Sequence, residues 1–250
     1  MITAIRVPAA VLTASLLLAG CHSGGGAAQT RAAVAADGAE GTPAPASSPA
    51  ATPDAPGELP GLGPRTRAGI PSNARQVVVV TGKGRNSSDS AVVLYERTDS
   101  GWKAGRQWPA HNALKGWTDH HVSGDLRSPI GVYALTDAGG RLPDPGTRLP
   151  YDHSHGFTAL GTGFDGESLA GAFDYVVAIN YNRKPGTSPR DWTRPLGGSR
   201  GGGIWFHVDH GGPTHGCVTL KEADMTALLR ALDPDRHPVV VMGDAPSLAR

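Results

Sequence analysis

The 250-residue sequence predicts a mainly β domain. Short runs of β-branched and other apolar residues recur after residue 75, and Val77–Val80 is the clearest of them. Turns rich in Gly, Asp and Ser, such as 82–84 and 99–101, separate these runs. Only one stretch, 221–232, has apolar residues at helical spacing. This rhythm is typical of an all-β architecture that carries a single short helix.

The N-terminal segment 1–21 is typical of an export signal. Arg6 supplies positive charge, and residues 7–18 form a mostly apolar run that is too short to span a membrane comfortably. The run ends in Leu18-Ala19-Gly20-Cys21, which resembles the lipobox of bacterial lipoproteins. The resemblance implies a lipid on Cys21 and a protein anchored to the extracytoplasmic face of the cell membrane, on the cell-wall side. An ordinary secretion signal that is cut nearby would also place the protein outside the cytoplasm.

Residues 22–67 are rich in Ala, Gly, Pro, Ser and Thr and contain few large apolar side chains. Such a composition cannot bury enough surface to offset chain entropy. It predicts a disordered tether, which its prolines make partly extended, followed by one folded domain over 68–250. The net charge of +1 and the lack of basic patches with interleaved aromatic residues argue against a nucleic-acid partner.

The predicted elements follow from apolar runs and their turn signals. We expect strands at 75–81, 91–97, 101–104, 129–135, 175–181, 204–208 and 238–242. Residues 137–150 and 183–200, with their Gly and Pro residues, are predicted loops. The predicted helix 221–232 ends at Asp233-Pro234. Its apolar positions are Met225, Leu228, Leu229 and Leu232.

The stretch 201–220 concentrates the candidate chemistry. It brings His207, His210, His215 and Cys217 into a short span. The chain has two cysteines, and if Cys21 carries a lipid then Cys217 is the remaining thiol and cannot form a disulfide with it. A thiol with imidazoles nearby provides the nucleophile and the base that cysteine nucleophilic catalysis requires. The same side chains could also bind a zinc ion.

Three segments together resemble the L,D-transpeptidase catalytic domain family (YkuD type). They are Gly203–His207, Thr214–Val218 with its T-H-G-C motif, and Arg127–Tyr133. The order of elements that carries the resemblance runs from about Val77 to Met242. The resemblance implies a β-sandwich core and a cysteine-dependent enzyme that cross-links the stem peptides of peptidoglycan, without a cofactor.

The resemblance also implies roles for the site residues. Cys217 would attack the carbonyl that precedes the terminal D-Ala of a stem peptide, releasing D-Ala and leaving a thioester. An amine of a second stem would resolve the thioester, or water would do so in an L,D-carboxypeptidase reaction. His207 would be the general base, and His215 would shape the pocket and contact substrate.

The remaining predicted site residues surround the nucleophile. Gly216 allows a tight turn, so that the N–H groups of Gly216 and Cys217 are the expected oxyanion donors. Thr214 and Thr219 are placed with Gly216 among the substrate-contacting residues. Thr219 departs from the family pattern, which commonly has Arg or Asn there and would use an Arg for a substrate carboxylate. The loop between His207 and Cys217 is also shorter than is usual in the family.

Two other functions remain open from the residues alone. The cluster of three histidines and Cys217 could hold zinc in a peptidoglycan amidase or peptidase, although no H-E-x-x-H motif is present and no metal is expected. A non-catalytic lipoprotein that binds peptidoglycan is the other alternative. Five further side chains have no assigned role or only a weak expectation of lining the cleft: His210, His153, His155, Tyr181 and Trp192.

Overall fold

The computed structural model describes residues 57–250. Over this range the chain forms two five-stranded sheets, a two-stranded ladder and three α-helices, which confirms the mainly β prediction. The predicted signal segment, Cys21 and the predicted tether up to residue 56 lie outside the described residues. Within 57–250, the helices are all too short or too polar to cross a membrane.

The elements are named in chain order. They are α1 (Pro64–Ala68), β1 (Gln76–Gly82), β2 (Asp89–Thr98), β3 (Gly101–His111), β4 (Trp117–Thr118), β5 (Ser128–Pro129), β6 (Gly131–Ala134), β7 (Ala138–Gly140), β8 (Tyr151–His153), β9 (Val176–Ala178), β10 (Trp205–Val208), β11 (Val218–Leu220), α2 (Glu222–Ala231), β12 (Val239–Asp244) and α3 (Ala245–Leu248). The first sheet has the order β3-β2-β1-β12-β6, and the second has the order β11-β10-β9-β7-β8.

Both faces of the first sheet are buried at its strands β1 and β12. Val78 and Val80 of β1 belong to a large core, whereas Val77 and Val79 belong to a smaller core on the opposite face, as the two-residue period of a strand requires. β12 pairs in parallel with β1, and its valines also alternate between the two cores: Val240 belongs to the large core, and Val239 and Val241 belong to the smaller one. Strands that are covered on both faces need an apolar residue at every position, which explains the unbroken valine run.

The smaller core extends the domain toward the N-terminus. Leu59 and Leu62 are buried in it together with Leu248 of α3, and the N–H of Gly63 donates to the carbonyl of Leu248 at 2.8 Å. The prediction that the disordered tether runs to residue 67 is therefore wrong for residues 57–67. Two leucines in an otherwise polar stretch supply the burial, and the averaged composition conceals them.

The second sheet shares the large core with the first sheet and with α2. On β10, Phe206 points into this core, so that its neighbours Trp205 and His207 project from the outer face. α2 packs its apolar side against the same core, and this confirms the helix that the sequence predicts over 221–232. The β-sandwich thus leaves the outer face of the second sheet available for a site.

Several predicted bounds differ from the structure. β3 runs to His111 rather than ending at residue 104, because its middle is exposed at the sheet edge and carries no apolar alternation. β7, an Ala-Gly-Gly strand, lies inside the predicted loop 137–150, and its residues have low strand propensity. The predicted strand 175–181 shortens to β9. The prediction of a single helix also misses α1 and α3, which have only five and four residues.

Candidate active site

The loop between β10 and β11 builds the site. These strands are parallel neighbours, with His207 opposite Thr219, so residues 209–217 must return along the sheet before β11 begins. The connection is short for a parallel crossover, and a Gly-Gly-Pro turn reverses the chain, with Gly211 at a φ of +90°. The return path brings Cys217 level with the start of β10.

Cys217 is a free, partly exposed cysteine. It lines a pocket of about 230 Å³ together with His207, His210 and His215. Its sulfur accepts the N–H of Trp205 at 3.4 Å, and its S–H donates to the carbonyl of Gly203 at 3.6 Å. Burial raises the pKa of the Cys217 thiol to about 11, and the Trp205 N–H offsets only part of this effect. The side chain is therefore a neutral thiol in the free protein.

His207 is the predicted general base for Cys217, and the residue is 3% exposed. Its Nδ1 lies 2.9 Å from the carbonyl of Val208, so Nδ1 carries the proton and Nε2 is an acceptor. The edge of its ring meets Phe173 at a centroid distance of 5.2 Å. Burial lowers the pKa of His207 to about 4. The imidazole is therefore neutral at pH 7 and able to accept a proton.

His210 stacks on His207, and Glu167 holds it there. The two rings lie 5.7 Å apart at an angle of 14°, and His210 Nδ1 lies 2.9 Å from a Glu167 carboxylate oxygen. That carboxylate fills the space where a Cβ would stand on Gly163 or on Gly212. Burial acts to raise the pKa of Glu167, but hydrogen bonds from backbone N–H groups and from His210 hold it below its usual range. No motif or spacing in the sequence points to Glu167.

A cap segment, residues 157–174, covers this face of the second sheet. Phe173 contacts the rings of His207 and Trp205, and Phe164 lies 4.6 Å from the ring of His215. Together with the loop 209–217, the cap segment encloses the pocket. Its aromatic residues have neither strand nor helix spacing, so the sequence carries no signal for their position.

The turn before Cys217 is held by a threonine. Thr214 is buried, and its hydroxyl donates to the carbonyl of Cys217 at 2.7 Å and accepts the N–H of Gly216 at 3.2 Å. A Cβ on Gly216 would lie 2.8 Å from the side chain of Ile204, which explains the glycine. The Gly216 N–H already donates to the Thr214 hydroxyl, so the predicted role of Gly216 as an oxyanion donor is not supported. The Cys217 N–H has no acceptor within residues 57–250 and stays available.

Thr219 does not reach the pocket, and its predicted substrate contact is wrong. The side chain is fully buried, and its hydroxyl donates to Asp209 at 2.7 Å and accepts the backbone N–H of His111 at 3.2 Å. Asp209 also pairs with the ring of His111 at 2.8 Å. Burial opposes ionisation of Asp209, but the hydrogen bonds from His111 and Thr219 lower its pKa to about 2. Thr219 therefore anchors the start of the loop 209–217.

The other histidines separate into rim and remote positions. His215 is exposed at the pocket rim, beside the cap segment. His153 and His155 lie on β8 and just after it, at the sheet edge opposite β11, and do not line the pocket. Tyr181 is buried and donates its hydroxyl to the carbonyl of Arg200 at 2.8 Å, which is a packing role.

The geometry gives the zinc alternative no support. Within residues 57–250, no three side chains of His, Cys, Asp or Glu converge as metal ligands would. The rings of His207 and His210 lie nearly parallel, and each Nδ1 already has a partner.

The fold and the site define a mainly β domain that presents a thiol and a neutral imidazole in a pocket on one sheet. Residues 74–241 match the family model of YkuD, the L,D-transpeptidase catalytic domain, and the chain belongs to this family. The family predicted from the sequence motifs is thus confirmed.

The solved structure of Bd1075 from Bdellovibrio bacteriovorus is similar to this chain with a TM-score of 0.40 and 17% sequence identity. The similarity covers 74% of this chain and 53% of that chain, so the chain spans about half the length of that protein. No curated protein matches the chain.

Proposed function

We propose that this chain performs cysteine-dependent acyl transfer on peptidoglycan stem peptides. Membership of the YkuD family indicates L,D-transpeptidase-type cross-linking. The observation that carries the cysteine mechanism is the pocket itself, in which the partly exposed thiol of Cys217 shares one cavity with the neutral imidazole of His207. A nucleophile and a proton acceptor in one solvent-open pocket are what acyl transfer requires.

The first half of the reaction forms a thioester. The sulfur of Cys217 attacks the carbonyl that precedes the terminal D-Ala, while Nε2 of His207 accepts the thiol proton. The Cys217 N–H donates to the oxygen that becomes negative in the tetrahedral intermediate. When the C–N bond breaks, His207 returns the proton to the leaving amine, and D-Ala departs.

The second half resolves the thioester. An amine of a second stem peptide attacks the thioester carbonyl and loses a proton to His207, and the sulfur of Cys217 leaves and is reprotonated. The product is a new amide that joins two stems. Water in place of the amine would release the tripeptide stem, which is the carboxypeptidase outcome of the same intermediate.

Because thiol and imidazole are both neutral at rest, the proton moves as the sulfur attacks. Burial disfavours both charged forms, which keeps the pKa of Cys217 high and that of His207 low. Negative charge then develops on the substrate oxygen, and the Cys217 N–H donates a hydrogen bond to that oxygen. His210, held by Glu167, positions the His207 ring through the stacked contact.

We also propose that the chain acts outside the cytoplasm, attached by a lipid on Cys21. The apolar run 7–18 and the lipobox-like sequence 18–21 support this localisation. The expected result is incorporation of a labelled fatty acid into the chain in cells, and its loss in a Cys21→Ala variant. Incorporation that persists in the variant would contradict the lipid assignment.

The test of function uses a carbapenem as an acylating trap and release of D-Ala from a stem tetrapeptide as the activity. We expect a covalent adduct on the full chain that is absent in Cys217→Ala and slow to form in His207→Gln, with His153→Gln as a matched control of normal rate. Activity that a chelator removes would favour the zinc alternative. Binding to cell-wall fragments without adduct or D-Ala release would favour the non-catalytic alternative.

A further inference from the structure

Arg194 presents a guanidinium that forms no salt bridge within residues 57–250, although the charge of Asp191 acts on it. Its Nη1 donates to the backbone carbonyls of Asp191 and Thr193, both at 3.1 Å. Its Cζ lies over the ring of Trp192 at 4.7 Å from the centroid, and Trp192 is 76% exposed. The backbone contacts and the ring orient the guanidinium, while Nε and Nη2 have no hydrogen-bond partner in the described part of the chain.

A strip of two glycines separates this guanidinium from the nucleophile. A Cβ on Gly202 would overlap the Arg194 side chain, and one on Gly203 would lie 3.6 Å from Nη2. On its other side, the carbonyl of Gly203 accepts the S–H of Cys217 at 3.6 Å, and Gly203 lines the pocket. Both glycines have positive φ, +140° and +68°, so they keep the strip thin. Arg194 is not among the residues that line the pocket; it lies beside Gly203, which does line it, and we call this position the rim.

The proposed substrate needs a cation at this rim. The D-Ala that leaves during acylation carries a free carboxylate, one residue beyond the carbonyl that Cys217 attacks. The residues that line the pocket include no Lys or Arg, and Thr219, where the family pattern commonly has Arg or Asn, is buried. A carboxylate that leaves water without a charged donor loses binding energy, whereas a guanidinium can donate two parallel hydrogen bonds to it.

We infer that Arg194 is a specificity-determining residue that binds the terminal carboxylate of the donor stem peptide. This inference rests on the proposed function and names the part of the substrate that the rim recognises. Trp192 holds the guanidinium in place through the cation–π contact, and the Gly202–Gly203 strip allows the carboxylate to reach it while the preceding carbonyl lies at Cys217. A peptide that ends in an amide lacks the partner for Arg194.

The test measures binding apart from turnover. Titration calorimetry on the full chain carrying Cys217→Ala compares a stem tetrapeptide that ends in D-Ala with the same peptide as its C-terminal amide. We expect the carboxylate peptide to bind about 10- to 100-fold more tightly, as a charge-assisted bidentate contact implies. Arg194→Gln should abolish this preference, and Arg194→Lys should restore part of it. Arg190→Gln, which alters a nearby arginine bonded to Ser154, is the matched control and should keep the preference.

Equal binding of the two peptides, no binding of either, or a preference that survives in Arg194→Gln would overturn the inference. Release of D-Ala by the chain with Cys217 intact is scored separately. If D-Ala is released and the preference is absent, the carboxylate site fails and the proposed function stands. If D-Ala is not released and the preference depends on Arg194, the carboxylate site stands and the proposed function fails.

Discussion

The thiol of Cys217 should stay protonated in the free protein up to high pH. Burial raises its pKa to about 11 from the ordinary value of 9.0. His207, whose pKa is lowered to about 4 by burial, offers no positive charge to a thiolate at neutral pH. Iodoacetamide reacts with the thiolate form of cysteine. We therefore expect the alkylation rate of Cys217 to keep rising with pH past pH 10.

The expected difference in alkylation rate between the folded and the unfolded chain follows from the two pKa values of the thiol. A pKa of about 11 in place of 9.0 leaves about 100-fold less thiolate near pH 8. A thiolate of higher pKa is a better nucleophile, and this restores about eightfold. Cys217 in the folded chain should thus react about tenfold more slowly than in the unfolded chain, and its rate should rise about tenfold for each pH unit between 7 and 10.

The assay follows the peptide that contains Cys217 by mass spectrometry after timed alkylation of the full chain, so that Cys21 does not contribute. The same peptide from the chain in urea is the reference. Limited access to the pocket would lower the alkylation rate equally at every pH and would not move the midpoint of the pH profile. The shape of the profile therefore distinguishes a raised thiol pKa from limited access. A plateau below pH 8 that disappears in His207→Gln would refute the reasoning, because it would reveal a thiolate–imidazolium pair at rest.

Three further predictions concern stability and positioning. His207 stays neutral to about pH 4 in the folded chain, so the free energy of unfolding should rise with pH between 4 and 6.5 by up to about 3 kcal/mol, and urea titrations should show a shallower rise in His207→Phe. Asp137→Asn leaves the buried guanidinium of Arg183 without a carboxylate, although Asn180 and Thr187 still accept hydrogen bonds from it, and should cost about 3–5 kcal/mol in the same urea titration. The double variant Asp137→Leu/Arg183→Met should recover part of this loss. An unchanged urea midpoint in Asp137→Asn would contradict a buried ion pair. Glu167→Gln should slow D-Ala release about tenfold with little change in KM, because the charge that orients His210 is removed, and an unaltered kcat would show that the stack does not position the base.

The sequence predicted best where a local pattern has few structural alternatives. The valine runs required strands buried on both faces, and the spacing of Met225 and the leucines that follow it defined α2. His207 follows Phe206 on a short apolar strand, so placing Phe206 in the core turns His207 outward to the face that Cys217 shares. The two predicted reaction partners do line one pocket, while their roles in catalysis stay predictions.

Contacts between distant segments could not be predicted from one sequence. Glu167 lies 43 residues before His210, within a Gly-rich stretch that has no periodicity. Thr219 was misassigned because its position next to the motif suggested substrate, whereas its hydroxyl is committed to Asp209 and to the backbone of His111. Such pairings depend on which strands become neighbours, and strand order is a property of the topology rather than of any local pattern.

The small core formed by Leu59, Leu62 and Val79 has a consequence for how the domain can be held. It lies behind the first sheet, whereas the pocket opens from the far side of the second, so the whole thickness of the sandwich separates Leu59 and Leu62 from Cys217. A support attached at Gly57, where the described part of the chain begins, would therefore hold the domain on the side away from Cys217.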